Sequence, residues 1–468
     1  MLRLPPERAA ARVAEALIGG QSLRLLGADG PVRALCLARA ARHPLREGPV
    51  VIVAADDASA RSIVRDAAFF LGVEPNERTQ DGDILFIPEL DVSPYADVSA
   101  DPRQVAARLS ALGRLLGEEP PALVVTSVRS MQRRVMPADA FARVQRAWST
   151  DTEIDRDDAV TQLLAAGYHR VDVVEDPGTF AVRGGVMDVF VPRYRFPLRI
   201  EWFGDEIERM RMFDPESQRS LREVESCVVD PVRETIVTRG TPLRPAVLQI
   251  ADHVTAPSSK TRQVCENLEK GVDFFGIDAL APAFHDQMDP LWTYLEQATW
   301  FVEDAEALLG LAKKLDEEAC EEYERAKAGH NLVAGVDAFF VDPQALQQQL
   351  TAQPVAASRV DTVGSEADER PTIGVEAERS ARLRLDLEAA RGRKDGEIIR
   401  PVVDHIRRLT RGSDDETEGP AWKVVISAPN LTHAERLTSL LRGYGLPMES
   451  PRGPEGHALG GDATDQLR

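Results

Sequence analysis

Between residues 23 and 127, apolar runs too short for helices alternate with segments of helical period, and that alternation limits the fold more than any other feature. LRLLG at 23–27, VVIVAA at 50–55, ILFI at 84–87 and ALVVTS at 122–127 read as buried strands. A Gly/Pro turn joins the first run to the helical text VRALCLARAARH, and Asp56 or Asp57 is placed to cap the helix after the second. Asp101 followed by Pro102 opens another helix, on which Val105, Leu109, Leu112 and Leu116 recur at helical spacing. Strands alternating with helices imply a parallel sheet covered on both faces.

The 468 residues exceed what one hydrophobic core supports. The text divides into an α/β domain at 1–145, an inserted, mainly antiparallel α+β domain at 146–235, and a return segment at 236–345 completing the first domain. A small α/β third domain follows at 346–448, with a flexible tail or truncation end at 449–468. The insertion announces itself by the turn pairs Pro177-Gly178, Gly184-Gly185 and Gly204-Asp205, and by Leu198, Ile200 and Trp202 alternating with Arg199, Glu201 and Phe203. Residues 375–411 read as a strongly charged helical stretch, 413–419 as a solvated acidic loop and 423–429 as a strand. Ala434, Leu437, Leu440 and Leu441 then share a helical face.

A net charge of -20 opposes a large nucleic-acid footprint, which needs a basic face. Cys36, Cys227, Cys265 and Cys320 lie far apart, fitting neither a zinc site nor a disulfide framework; they read as reduced thiols. The scattered histidines show no metal-ligand spacing. No run reaches the ~18 apolar residues of a membrane span, and the N-terminus has no secretory apolar region, so no membrane role and a cytoplasmic place are expected.

Two segments carry candidate chemistry. The first, Gly27-Ala28-Asp29-Gly30-Pro31-Val32-Arg33-Ala34, follows a strand and opens a helix as a P-loop does. A working loop places a second glycine, a lysine and a magnesium-binding hydroxyl where Val32, Arg33 and Ala34 stand. An arginine fork does not replace the compact ammonium, and alanine binds no metal. The expectation is a loop that keeps the shape without the activity, with residual phosphate binding as the alternative, and no catalytic or metal-binding residues.

The second segment runs from Gly167 to Pro192 and on through Phe213. Arg170, Arg183, Arg193, Arg195 and Arg199 sit there among Phe180, Phe190 and Tyr194. Arginine beside aromatics suits a protein-docking anchor and also cradles single-stranded nucleic acid. On the residues alone a plainer reading stands equally: Phe180 and Phe190 in the core, with the arginines a solvated face balanced by Asp172, Glu175 and Asp176.

The Gly167-Tyr168 pair, the Gly178-x-Phe180-x-x-Arg183-Gly184 and Asp188-x-Phe190-x-Pro192 spacings and Phe203-Gly204-Asp205-Glu206-Ile207 resemble the module shared by the transcription-repair coupling factor (Mfd) family and the excision-repair helicase UvrB. The altered loop at Val32, Arg33 and Ala34 favours the coupling-factor family, as does a stretch from Leu90 to Asp101 holding a single tyrosine, Tyr95. The resemblance implies a P-loop-NTPase-like parallel sheet and docking of UvrA, carried over onto Arg170 and Arg183 as charged contacts and Phe180 or Phe190 as the apolar anchor. It implies a recruiting scaffold and not an enzyme in this chain. RNA polymerase, double-stranded DNA and the C-terminal region that masks the docking surface are further partners of the full-length family, and its ATP and magnesium belong to motor domains beyond these residues. Two rivals remain: a UvrB-like damage-binding ATPase and helicase, and a nucleic-acid-binding module.

Overall fold

The computed structural model describes residues 2–449 apart from 22, 29, 74–81, 97, 151–152, 237–242, 273, 352–354, 359–370, 376–380, 392–397, 412–423, 425, 427 and 429–430. The early apolar runs form strands where the sequence places them: after β1 (Leu2–Leu4) come β2 (Leu23–Leu26), β3 (Val50–Ala54), β4 (Ile84–Ile87) and β5 (Leu123–Ser127). Asp56 caps the helix Asp57–Leu71 by accepting from the Ser59 N–H at 2.7 Å. Asp101 likewise caps Pro102–Leu115. Each cap satisfies a backbone donor that the first helical turn leaves without an intrahelical acceptor.

The inserted domain holds β6 (Arg146–Ser149), β7 (His169–Arg170), β8 (Thr179–Arg183), β9 (Val186–Val189), β10 (Leu198–Phe203), β11 (Glu206–Phe213), β12 (Ser220–Val224) and β13 (Ser226–Val229). Its six-stranded sheet runs β12-β11-β10-β9-β8-β7, antiparallel except for the parallel pair β7 and β8. The β10–β11 hairpin turns at Gly204, whose φ of 64° is open to glycine at little cost. Alternation then sorts the faces: Phe180, Met187, Val189, Leu198, Ile200 and Met210 enter one core, roofed by the helix Arg156–Ala165.

Three late strands, β14 (Thr299–Glu303), β15 (Val355–Ser358) and β16 (Thr372–Val375), return to the first sheet. The order is β1-β16-β2-β15-β14-β3-β5-β4, parallel throughout. The helix Pro343–Thr351 also buries Leu346 and Leu350 in this domain's core. The boundary expected at 346 therefore cuts through the first domain, whose strands continue to Val375; short parallel strands pair across hundreds of residues and leave no local mark of where their sheet ends.

The sheet is covered on both faces. Along β3, Val50 and Ile52 join one core while Val51 and Val53 join the other, which is why the run is apolar without alternation. Residues 243–340 add a helical unit in which Val247, Leu268, Leu280 and Phe339 pack around Tyr95. Beyond Val375, the helices Ala381–Arg391, Arg400–Arg411 and Leu431–Gly443 follow, with Val403, Ile406, Leu441 and Leu446 forming a small core. Of the residues read as sharing one helical face, Leu441 is buried and Leu440 is 39% exposed. The acidic loop 413–419 and the tail 450–468 lie outside the described residues, as does most of the strand expected at 423–429.

Candidate functional site

The loop after β2 is short: Gly27 (φ 77°) and Gly30 (φ 43°) take left-handed conformations, and the helix Gly30–Ala41 starts at once. Pro31, in its first turn, removes one of the N–H donors that a phosphate cradle uses. Arg33 does not face an open cleft. Its guanidinium is buried and its Nη1 donates to Glu303 Oε2 at 2.5 Å, at the carboxyl end of β14. Ala34 is core, 1% exposed. The crevice at the carboxyl ends of the strands, where open α/β sheets bind ligands, thus holds an internal ion pair.

At that same edge the Glu89 N–H donates to Asp57 at 3.2 Å, and Glu89 accepts from Ser127 Oγ at 3.1 Å. Burial, with the Glu89 charge adding to it, pushes the Asp57 carboxyl from 3.8 up to about 6. A folded-state value above the unfolded one means stability is fully present below about pH 4 and is lost as pH rises through about 6. Asp57→Asn should therefore stabilise the protein by about 1 kcal/mol at pH 7, after allowance for solvent screening, with no gain at pH 4. Urea unfolding at the two pH values checks this; equal effects at both would refute it.

The two arginines of interest lie on neighbouring strands of the inserted domain's sheet, Arg170 on the edge strand and Arg183 on the one beside it. Arg170, on the edge strand β7, is exposed; Arg183, also exposed, ends β8 and donates through Nη2 to the Asp172 carbonyl at 2.5 Å, two residues along from Arg170. The aromatic anchors do not join them. Phe180 is fully buried among Met187, Val189 and Leu198, and Phe190 is 8% exposed against Val174 and Ala181, so both are packing residues. A ring that fills its own core offers a partner no surface. The exposed apolar side chains of this domain include Val173 (47%), beside Asp172, Phe203 (77%), at the hairpin tip, Leu164 (54%) and Leu221 (49%). The alternation of β10 already placed Phe203 on the outer face with Arg199 and Glu201.

That outer face is a ladder of ion pairs. Arg199 grips Asp188 with two hydrogen bonds, 2.7 and 2.9 Å, and stacks over Phe213 at 4.5 Å; Arg211 pairs with Glu201 and Arg209 with Glu223. The Asp188 hydrogen bonds raise the Arg199 pKa, against a smaller opposing effect of burial. Arg195 is exposed, lying over Phe196 at 5.4 Å.

Arg193 has a different task. It is buried, and its Nε and Nη2 donate to Asp230 at 2.9 and 2.7 Å; Gln145 Nε2 donates to the same carboxylate at 2.8 Å. Burial works against the Arg193 charge, yet the Asp230 carboxylate outweighs it and the net direction is up. Gly113, in the helix Pro102–Leu115, lies directly under this pair: a Cβ there would stand 2.1 Å from Asp230 Oδ1. The pair therefore seats the inserted domain on the first domain.

Among the described residues no group of three or more His, Cys, Asp or Glu side chains could hold a metal ion, and no helix is long and apolar enough to cross a membrane. Burial pushes the Cys36 and Cys227 thiols up to about 12.

Residues 147–234 match the UvrB interaction domain, a span that takes in nearly all of β6 to β13. A transcription-repair-coupling factor from Myxococcus xanthus is 30% identical over 445 residues, 92% of this chain and 35% of the relative. One from Mycobacterium tuberculosis is 33% identical over 248 residues, 51% of this chain and 19% of the relative. UvrABC system protein B from Chlorobaculum tepidum is 33% identical over 151 residues, 32% of this chain and 22% of the relative. The chain thus spans about a third or less of the length of these relatives. Along nearly all of its own length it is related to the transcription-repair-coupling factors, and at its centre it carries a UvrB interaction domain.

Proposed function

We propose that this chain is the UvrA-recruiting scaffold of a transcription-repair coupling factor, acting in transcription-coupled nucleotide excision repair. The observation that carries the reading is the UvrB interaction domain at 147–234, in which Arg170 and Arg183 are both exposed. Docking is then charge-led: the two guanidinium groups meet carboxylates of UvrA, and Val173 rather than Phe180 supplies the neighbouring apolar contact. The ion-pair ladder beside them keeps the outer face rigid and polar, so little side-chain order is lost on binding.

The first domain supports the inserted one and does no nucleotide chemistry in this reading. Its loop at 27–34 keeps the strand-turn-helix outline of a P-loop, but Pro31 withholds a donor, Arg33 is spent on Glu303, and Ala34 offers magnesium no ligand. RNA polymerase, duplex DNA and ATP-driven translocation belong to the proposal for the full-length protein in the cytoplasm, together with masking of the docking surface by its own C-terminal region.

The test is the affinity of this chain for purified UvrA, wild type beside Arg170→Ala and Arg183→Ala, with ATP hydrolysis by the chain assayed alone. Each change should weaken binding by about 1–3 kcal/mol, and the chain alone should not turn over ATP. Unchanged affinity in both variants, or ATP turnover lost on Arg33→Ala, would contradict the reading.

A further inference from the structure

On the side of the first domain opposite the strand carboxyl ends, the helices Pro6–Ile18, Gly30–Ala41 and Asp57–Leu71 flank a half-open cavity of about 220 Å³. Its polar lining is Arg39, Arg42, His43 and Glu15, and its apolar lining includes Leu35, Ala38 and Phe70. The balance of charge is positive. Glu15, the one carboxylate in the lining, is drawn to Arg12 at 3.1 Å.

Helix carboxyl ends attract arginines by themselves, so that role has to be assigned first. Arg46 fills it for Gly30–Ala41, its Nε donating to the Ala41 carbonyl at 2.9 Å. Arg42 fills it for Asp57–Leu71 by donating to the Leu71 carbonyl, and that bond fixes its guanidinium at the rim of the cavity. Arg39 is left over. Its Nε is buried and has no hydrogen-bond partner among the described residues, as is also so for the Nε of Arg33, Arg108, Arg133 and Arg211. His43 accepts the Leu45 N–H on Nδ1 at 3.3 Å, which leaves Nε2 as the ring's proton-carrying nitrogen.

We propose that this cavity is a binding site for a small organic phosphate, its phosphoryl group held by Arg39 and Arg42 with His43 as a further donor and its apolar part against Phe70, Leu35 and Ala38. Arginine forks match phosphate oxygens, and the volume suits one phosphoryl group with a ring or short chain, not a nucleotide. The site is separate from the loop at 27–34, since helices antiparallel to the strands put their carboxyl ends at the opposite sheet edge.

The experiment uses the full chain and phenyl phosphate as probe, with inorganic phosphate, phenol and sodium chloride at matched ionic strength beside it. Calorimetry should give saturable binding of phenyl phosphate, weaker binding of inorganic phosphate, and none of phenol. Arg39→Ala and Arg39→Met should each weaken phenyl phosphate by about tenfold, the loss of one charged hydrogen bond, while Glu15→Gln leaves it equal or tighter. A response to phosphate no larger than that to chloride, or binding undiminished in both folded Arg39 variants, would overturn the proposal.

Discussion

Asp230→Ala should lower the unfolding free energy by about 3–5 kcal/mol, because it leaves the Arg193 guanidinium buried without its carboxylate. Asp230 is fully buried, and its side chain takes two bonds from Arg193 and one from Gln145, so nothing nearby replaces it. The first transition affected should be that of the inserted domain, followed by the fluorescence of Trp148 and Trp202 in its core during urea unfolding. Gly113→Ala should act in the same direction by a different route, since its Cβ would overlap Asp230 Oδ1 and push the joint open. The double change Arg193→Met, Asp230→Leu should be milder than Asp230→Ala, because no charge is then stranded. A loss under about 1 kcal/mol for Asp230→Ala would mean that water reaches the pair and that the joint is held by apolar contacts alone.

Glu303→Ala should cost a comparable amount, nearer about 3 kcal/mol, because the Asp66 charge also favours the guanidinium of Arg33 and softens its isolation. Here the transition affected is that of the first domain, since the pair ties the helix Gly30–Ala41 to the end of β14. Calorimetric unfolding of Glu303→Ala, Glu303→Gln and the pair Arg33→Met, Glu303→Leu separates charge from packing. The glutamine, which keeps an acceptor, should lose less than the alanine, and the apolar pair least. The reverse order would show that shape at this position matters more than charge.

Much of this architecture is written locally. The runs at 50–54, 84–87 and 123–127 are apolar on both faces because the sheet is covered on both, and Asp56 and Asp101 cap the helices their positions mark. What escaped has its partner far away in the chain. β1 is three residues before a proline and β16 is four residues within charged text; only pairing with each other and with β2 makes them strands. Glu303 lies 270 residues from Arg33, and Asp230 lies 37 from Arg193, so neither pair has a spacing signature.

The exposure of Arg183 is legible because turns and alternation confine it to a strand end. Phe180 was misread as an anchor because an aromatic among arginines looks alike whether it points in or out. Its register with Val189, itself opposite Leu198, decides the matter. Arg193 was grouped with the surface arginines for the same reason, and only the buried Asp230 separates it from them.

The central claim is that UvrA meets the chain at the β7–β8 edge, and hydrogen exchange of the chain with and without UvrA tests it most directly. The account predicts protection confined to residues 169–173 and 183–186, with exchange at 27–34 unchanged. Protection at 27–34, or none in the inserted domain despite binding, would contradict it.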